Sequence, residues 1–255
     1  MKPQNNVAII GCVFAFILTL VSPIKIKADT LFGIYFSASS WQPDFSGDVN
    51  YEGPDIRIED DLNITDDSSN LLSIALEHPA PFLPNIKLQR TNLDTSSLAS
   101  LDSDINFGGV TFPEGVQLQS QIDLSHTDYI LYYELLDNWV SLDLGVNVIN
   151  FDGNIILESD GLYSDLELDE FVPTLYGKAS FELPLTGAYL GAEGSIISSG
   201  DATISDYKMF VGWESDFGLG AEAGIHSFGA DWDDFADSHG DLTFDGYYAS
   251  VIFHF

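Results

Sequence analysis

A single cysteine, Cys12, stands in the whole chain, so no disulfide can form within it. Basic residues are nearly as scarce: eight Lys and Arg face 40 Asp and Glu, for a net charge of −32. That balance excludes nucleic acid as a partner, because phosphate binding demands clustered Lys and Arg. Long apolar runs are missing too. Beyond residue 28 none approaches the roughly 20 residues that a membrane helix needs, so a membrane-crossing part would have to be built from strands. Yet mean hydropathy is slightly positive. Strong acidity with net apolarity is unusual for a soluble protein. It fits strands that turn apolar faces to lipid while acids occupy aqueous loops and a lumen.

What is present begins with a segment unlike the rest. Residues 1–28 hold Lys2, Lys25 and Lys27 and no acid. Lys2 precedes an apolar run from Val7 to Val21, and Ile26-Lys27-Ala28 offers a cleavage site. The run, about 15 residues, is shorter than a bilayer span. Residues 1–28 are therefore expected to be a cleaved secretory signal peptide, with residues 29–255 as the mature protein; an uncleaved anchor is the alternative. Ile9-Ile10-Gly11-Cys12 superficially resembles a lipoprotein attachment box, but too few apolar residues precede it, and Cys12 is assigned to the discarded segment.

The mature part alternates with period two. Val140, Leu142, Leu144, Val146 and Val148 interleave with Ser141, Asp143, Gly145, Asn147 and Ile149. Leu175, Gly177, Ala179, Phe181 and Leu183 interleave with Thr174, Tyr176, Lys178, Ser180 and Glu182. Such segments are predicted at 30–41, 70–78, 85–96, 119–135, 139–151, 171–183, 188–198, 203–214, 218–230 and 242–255. Connections alternate between short turns, at 79–84, 136–138, 184–187 and 214–217, and longer loops at 42–69, 97–118, 152–170, 199–202 and 231–241. Short periplasmic turns and long external loops are the pattern of an outer-membrane barrel. The fold class expected is all-β: a transmembrane up-and-down antiparallel barrel of about ten strands, with both termini periplasmic. Within 97–125, Val110-Thr111-Phe112 and Val116-Gln117-Leu118 could extend a strand above the membrane or form a separate hairpin.

A soluble up-and-down barrel would alternate too, with its apolar face inward. Two features favour the membrane. Tyr129, Tyr132, Tyr133, Trp139, Trp213, Tyr247 and Tyr248 cluster near strand ends, as interfacial girdles do. The final segment places Phe255, Phe253, Val251, Ala249 and Tyr247 on one face; Phe255, Phe253 and Tyr247 resemble the C-terminal signature read by the barrel-assembly machinery.

Three stretches, Leu76-Glu77-His78-Pro79-Ala80-Pro81-Phe82-Leu83-Pro84-Asn85, Leu131-Tyr132-Tyr133-Glu134-Leu135-Leu136-Asp137-Asn138-Trp139 and Leu183-Pro184-Leu185-Thr186-Gly187, carry a resemblance over essentially the whole mature chain. They resemble a family of outer-membrane β-barrel proteins of Gram-negative gammaproteobacteria. The resemblance implies location and barrel fold, and no functional residues are carried over from it.

Register assigns Glu77, Asp128, Glu134, Asp143, Glu182, Glu193, Asp206, Glu214 and Glu222 to the lumen, with Lys87, Lys178, Lys208, His126 and His226. A lysine facing lipid at the midplane would cost about 2–4 kcal/mol, so the three lysines are expected inside, each near a carboxylate. The expected result is a charge-plugged lumen; a narrow cation-preferring channel is the alternative. His254 is expected at the periplasmic end of the lumen. The external loops are acidic, with Glu59, Asp60, Asp61, Asp66 and Asp67 in the first and Asp231, Asp233, Asp234, Asp237, His239 and Asp241 in the last. Such loops can hold calcium or magnesium, but Asp231-Trp232-Asp233-Asp234-Phe235-Ala236 lacks the EF-hand pattern. If metal binds, it would bridge to lipopolysaccharide phosphates. A third reading is a barrel-mouth hydrolase, for which Asp237-Ser238-His239 superficially offers an Asp-His couple. Ser125 and His126, adjacent in a strand, would project to opposite faces. The expected role is therefore structural or surface-interacting, with no enzymatic activity and no cofactor. The expected partners are outer-membrane lipid, lipopolysaccharide and the assembly machinery.

Overall fold

The computed structural model describes residues 32–255 except 66, 200, 201 and 236, with backbone alone at 199, 234 and 235. The signal-peptide segment lies outside the described residues. The strands are β1 (Gly33–Tyr51), β2 (Ile56–Arg57), β3 (Ser69–Glu77), β4 (Asn85–Asn92), β5 (Asp94–Ser100), β6 (Ile105–Phe107), β7 (Val110–Phe112), β8 (Gln117–Asp123), β9 (His126–Asp137), β10 (Val140–Phe151), β11 (Gly153–Ser159), β12 (Leu162–Leu168), β13 (Phe171–Glu182), β14 (Ala188–Ser199), β15 (Ala202–Glu214), β16 (Leu219–Phe235) and β17 (Ser238–His254). Among the described residues there is no helix.

Ten strands form the wall, in the order β1, β3, β4, β9, β10, β13, β14, β15, β16 and β17, and β17 pairs back onto β1 to close it. All neighbouring pairs are antiparallel, so the expected ten-stranded meander is the fold. A band of large apolar side chains rings the outside. Leu72 is 58% exposed, Leu175 68% and Val211 64%, and Phe36, Ile86, Leu131, Leu144, Leu190, Ile225 and Val251 continue the band onto the other strands. Soluble monomers rarely expose contiguous apolar patches beyond a few hundred Å²; lipid is the solvent that suits this one. Tyr129, Tyr207 and Tyr247 lie on the band toward the long-loop end, and Tyr133, Trp213 and Phe253 toward the short-turn end.

The wall rises far above the band. Membrane strands need about 9–11 residues, whereas β1 has 19, and β16 and β17 have 17 each. Their polarity inverts on the way up. On β1, Phe36 faces out and Ser37 and Ser39 face in; above them Trp41, Phe45 and Val49 are buried inside while Asp44 is exposed. On β16 the inward series runs from Glu222 through His226 to Phe228, Ala230 and Trp232. Lipid selects the lower pattern and water the upper one.

Much of what the sequence marks as long connections is strand, and within 97–125 both anticipated forms occur, Val110–Phe112 in a separate hairpin and Gln117 opening a strand above the band. Residues 42–51 continue β1, and 231–235 and 238–241 continue β16 and β17. Segments 94–123 and 153–168 supply a second sheet, ordered β12-β11-β8-β5, with β6 and β7 as a separate hairpin. This order repeats that of the barrel strands β13, β10, β9 and β4 from which the segments emerge. The wall bends without losing its ladder: Leu124 donates to Leu93 (2.8 Å), Asp152 to Ser125 (3.2 Å) and Phe151 to Glu170 (2.9 Å). Leu118, Ile122, Ile155, Leu157, Leu166 and Leu168 form its inner face. They belong to the same core as Ile56, Ile58, Leu62 and Ile64 of the first connection and Phe45, Phe228, Trp232 and Phe244 of the barrel wall. A cap with an apolar core therefore fills the outer half of the molecule. The expectation was a charge-plugged lumen; the cap above the charged residues closes with apolar side chains, where burying charge would be costly and apolar packing is favourable.

Candidate functional site

The lower lumen holds the charges. At the short-turn end Glu134 and Glu182 are exposed at its mouth. Tyr132 donates to Glu77 (2.8 Å), Tyr248 and Tyr189 donate to Glu222 (2.6 and 3.3 Å), and Asn85 donates to Glu134 (3.3 Å). His254 Nδ1 lies 3.5 Å from Glu214, with its ring stacked 4.0 Å from that of Tyr35. Tyrosine hydroxyls suit this position because they satisfy carboxylates without adding charge.

One layer deeper, Lys87 forms an ion pair with Glu193, and both side chains are largely buried. Lys208 donates to Gln89 Oε1 (3.0 Å). Lys178 is the register partner of Asp143 on one side and of Glu193 on the other. Its ammonium makes no hydrogen bond, and no ion pair within 4.0 Å, among the described residues, although it interacts electrostatically with Glu193, Asp143, Glu77 and Glu222. Of the three lysines expected near carboxylates, Lys87 is in direct contact with one, whereas Lys178 and Lys208 have theirs as register neighbours, Asp143 and Glu193 for Lys178 and Glu193 for Lys208.

Above the lysines lies a buried polar layer. Asp128 accepts from Asn147 (2.6 Å) and Gln89 (3.3 Å). His226 donates from Nε2 to Asp206 (2.6 Å), and Trp41 covers its ring at 4.0 Å. His126 donates from Nδ1 to the Leu124 carbonyl (2.8 Å) and stacks on Phe228 at 5.1 Å, where the apolar cap begins. A cavity of about 230 Å³ occupies the space below, from Tyr35, Glu182 and Glu214 at the mouth to Lys87, Lys208 and Glu193 at its floor. A separate recess of about 10 Å³ lies beside Asp128, Asn147 and Asp206 and shares Gln89, Tyr176, Glu193 and Lys208 with the cavity. Period-two parity places these residues on one face; the tyrosine partners, Trp41 and the cavity itself depend on how distant strands meet, which no local pattern encodes.

Of the residues behind the hydrolase reading, His239 meets Asp233 (3.0 Å), Ser238 Oγ accepts from Trp232 (3.0 Å), and Ser125 Oγ accepts from the Leu93 amide (3.0 Å). Ser125 and His126 are both buried at the bend between β8 and β9. In the first loop Arg57 bonds Asp60 (2.5 Å) and Asp61 (3.2 Å); the Asp61 hydrogen bond and then the Asp60 charge raise its guanidinium above its ordinary range. No group of three His, Cys, Asp or Glu among the described residues is placed to hold a metal ion.

No protein-family model matches the chain, and no curated protein matches it. Solved structures do. The outer-membrane protease OmpT from Escherichia coli aligns at TM-score 0.43 and 10% identity, over 87% of this chain and 97% of that one. The translocator domain of the autotransporter NalP from Neisseria meningitidis aligns at 0.38 and 12%, over 97% of each chain. Ail, the attachment invasion locus protein of Yersinia pestis, aligns at 0.32 and 10%, over 86% and 99%. The outer-membrane barrel fold is carried by the closed ten-strand wall and its apolar band. Beyond fold, a protease, a translocator domain and an attachment protein share little that could assign a role.

Proposed function

We propose that this chain is a non-conducting, non-enzymatic outer-membrane barrel that presents its acidic, cored cap to the outside as a structural or surface-interaction element. The observation that carries this reading is the apolar core, in which Trp41, Phe228 and Phe244 are almost fully buried, standing across the axis above the charged lumen. An ion entering from the short-turn end would have to cross dry aliphatic and aromatic packing, which excludes hydrated charge. Residues 1–28 would direct export. Phe255, Phe253 and Tyr247, all exposed, would be read by the assembly machinery, and lipopolysaccharide would surround the cap. The resemblance to gammaproteobacterial barrels agrees with this placement. Planar-bilayer recording of the purified protein tests the reading: silence is expected, and steps of cation-selective current would establish the channel instead. Heat-modifiable migration on gels is expected as well, and recovery as a soluble periplasmic species would remove the membrane assignment.

A further inference from the structure

The charges in the 230 Å³ cavity are sorted by depth. Carboxylates from several strands ring the mouth, including Glu77, Glu134, Glu182 and Glu222, whereas three ammonium groups gather near its floor beside the carboxylates of Glu193 and Asp143. Lys87 takes the Glu193 carboxylate, and Lys208 is held by a neutral amide. Lys178 lines the cavity with Asp143 and Glu193 as register partners and makes no ion pair within 4.0 Å among the described residues. A simple anion would meet the carboxylate ring before reaching the lysines, and a metal ion would find no convergent ligand set. A molecule negative at one end and positive at the other satisfies both layers.

Strand geometry sets its length. Lys87 pairs in register with Ala75, two residues from Glu77, and Lys178 lies four residues from Glu182 on the same strand. At about 3.4 Å per residue the opposite charges are separated by about 7–14 Å. The ammonium and carboxylate of a single α-amino acid sit on one carbon and cannot span this. An extended tripeptide, at about 3.3–3.6 Å per residue, can. Its amides would find hydroxyls on the same wall, such as Tyr189 and Ser141, and small side chains would meet Phe210 and Ile252.

We propose that the lower lumen is a blind binding cavity for a short zwitterionic peptide, with its carboxylate held by Lys178 and Lys208 and its ammonium by the mouth carboxylates. That the cavity is blind rests on the non-conducting reading above, whereas peptide binding itself is measured independently of conductance. Calorimetric titration of the folded chain in detergent with triglycine, N-acetyl-triglycine and triglycine amide tests it. Saturable binding of triglycine is expected, weakened at least tenfold by blocking either terminus. Lys178→Met, its folding checked by heat-modifiable migration, should shrink the preference for triglycine over its amide, with Lys208 left to hold the carboxylate, and Lys178→Arg should restore it. Absence of saturable triglycine binding, equal binding of either blocked peptide, or a Lys178→Met chain whose preference for triglycine over its amide is undiminished would each overturn it. Should Lys178→Met fail to fold, the three peptides on the unaltered chain decide the matter.

Discussion

Lys87 on β4 reaches across the lumen to Glu193 on β14, four strands away around the wall. Neighbouring strands are already joined by their ladders; this ion pair ties nearly opposite sides of the ring, 106 residues apart in sequence. Its side chains keep 14% and 15% of their exposure, so the surrounding cavity screens the pair modestly. It acts as a strut between the open mouth and the packed cap.

The two ends of the strut should be energetically coupled. Lys87→Met leaves Glu193 with only its register neighbours Lys178 and Lys208, neither in direct contact, and breaking a buried pair costs about 3–5 kcal/mol; the partial exposure and these neighbours point to the lower end. Urea unfolding of Lys87→Met, Glu193→Gln and the double variant should show the double losing less than the sum of the singles. Strict additivity would mean that the two side chains do not couple.

The barrel was legible in the sequence because lipid on one side and a polar lumen on the other impose a strict period of two. Parity alone puts Lys178 and Glu182 on one face. The cap was not legible, for a physical reason. Above Trp41 the solvent outside changes from lipid to water and the same alternation continues with its sign reversed, so Phe45 and Val49 read as loop residues among Asp44, Asp48 and Gly47. In β5, β8 and β12 the inward faces mix Thr95, Ser120 and Ser164 with the aliphatics, which dilutes the signal. The pairing of Lys87 with Glu193 depends on the stagger of the closed wall, and no local pattern carries that.

The cap core should dominate stability. Phe228 is 1% exposed and touches His126, Phe151 and Phe244 at centroid distances of 5.1, 6.3 and 6.1 Å. Truncating a buried Phe to Ala costs about 3–5 kcal/mol. Phe228→Ala should therefore lower the urea midpoint far more than Leu72→Ala, whose side chain faces lipid. Equal losses would place the stabilising core elsewhere.

The outward faces of the long strands carry acids against acids. Asp241 is the register partner of Asp48 on one side and of Asp231 on the other, and Asp44 is that of Asp245. Like charges directly opposite one another destabilise a sheet by about 0.2–1 kcal/mol per pair. The one nearby guanidinium, Arg57, sits opposite Asp48 in register but is bonded to Asp60 and Asp61, so it relieves the row little. Asp241→Asn removes the shared member of two repulsive pairs and should raise stability. The gain should shrink with salt, because the screening length falls from about 30 Å at 0.01 M to about 3 Å at 1 M. Urea midpoints of the two proteins at low and high sodium chloride, with divalent cations chelated, measure this directly. If Asp241→Asn proved less stable than the parent at low salt, repulsion would not govern the row, and the carboxylate would have to be making a contact worth more than the repulsion it brings.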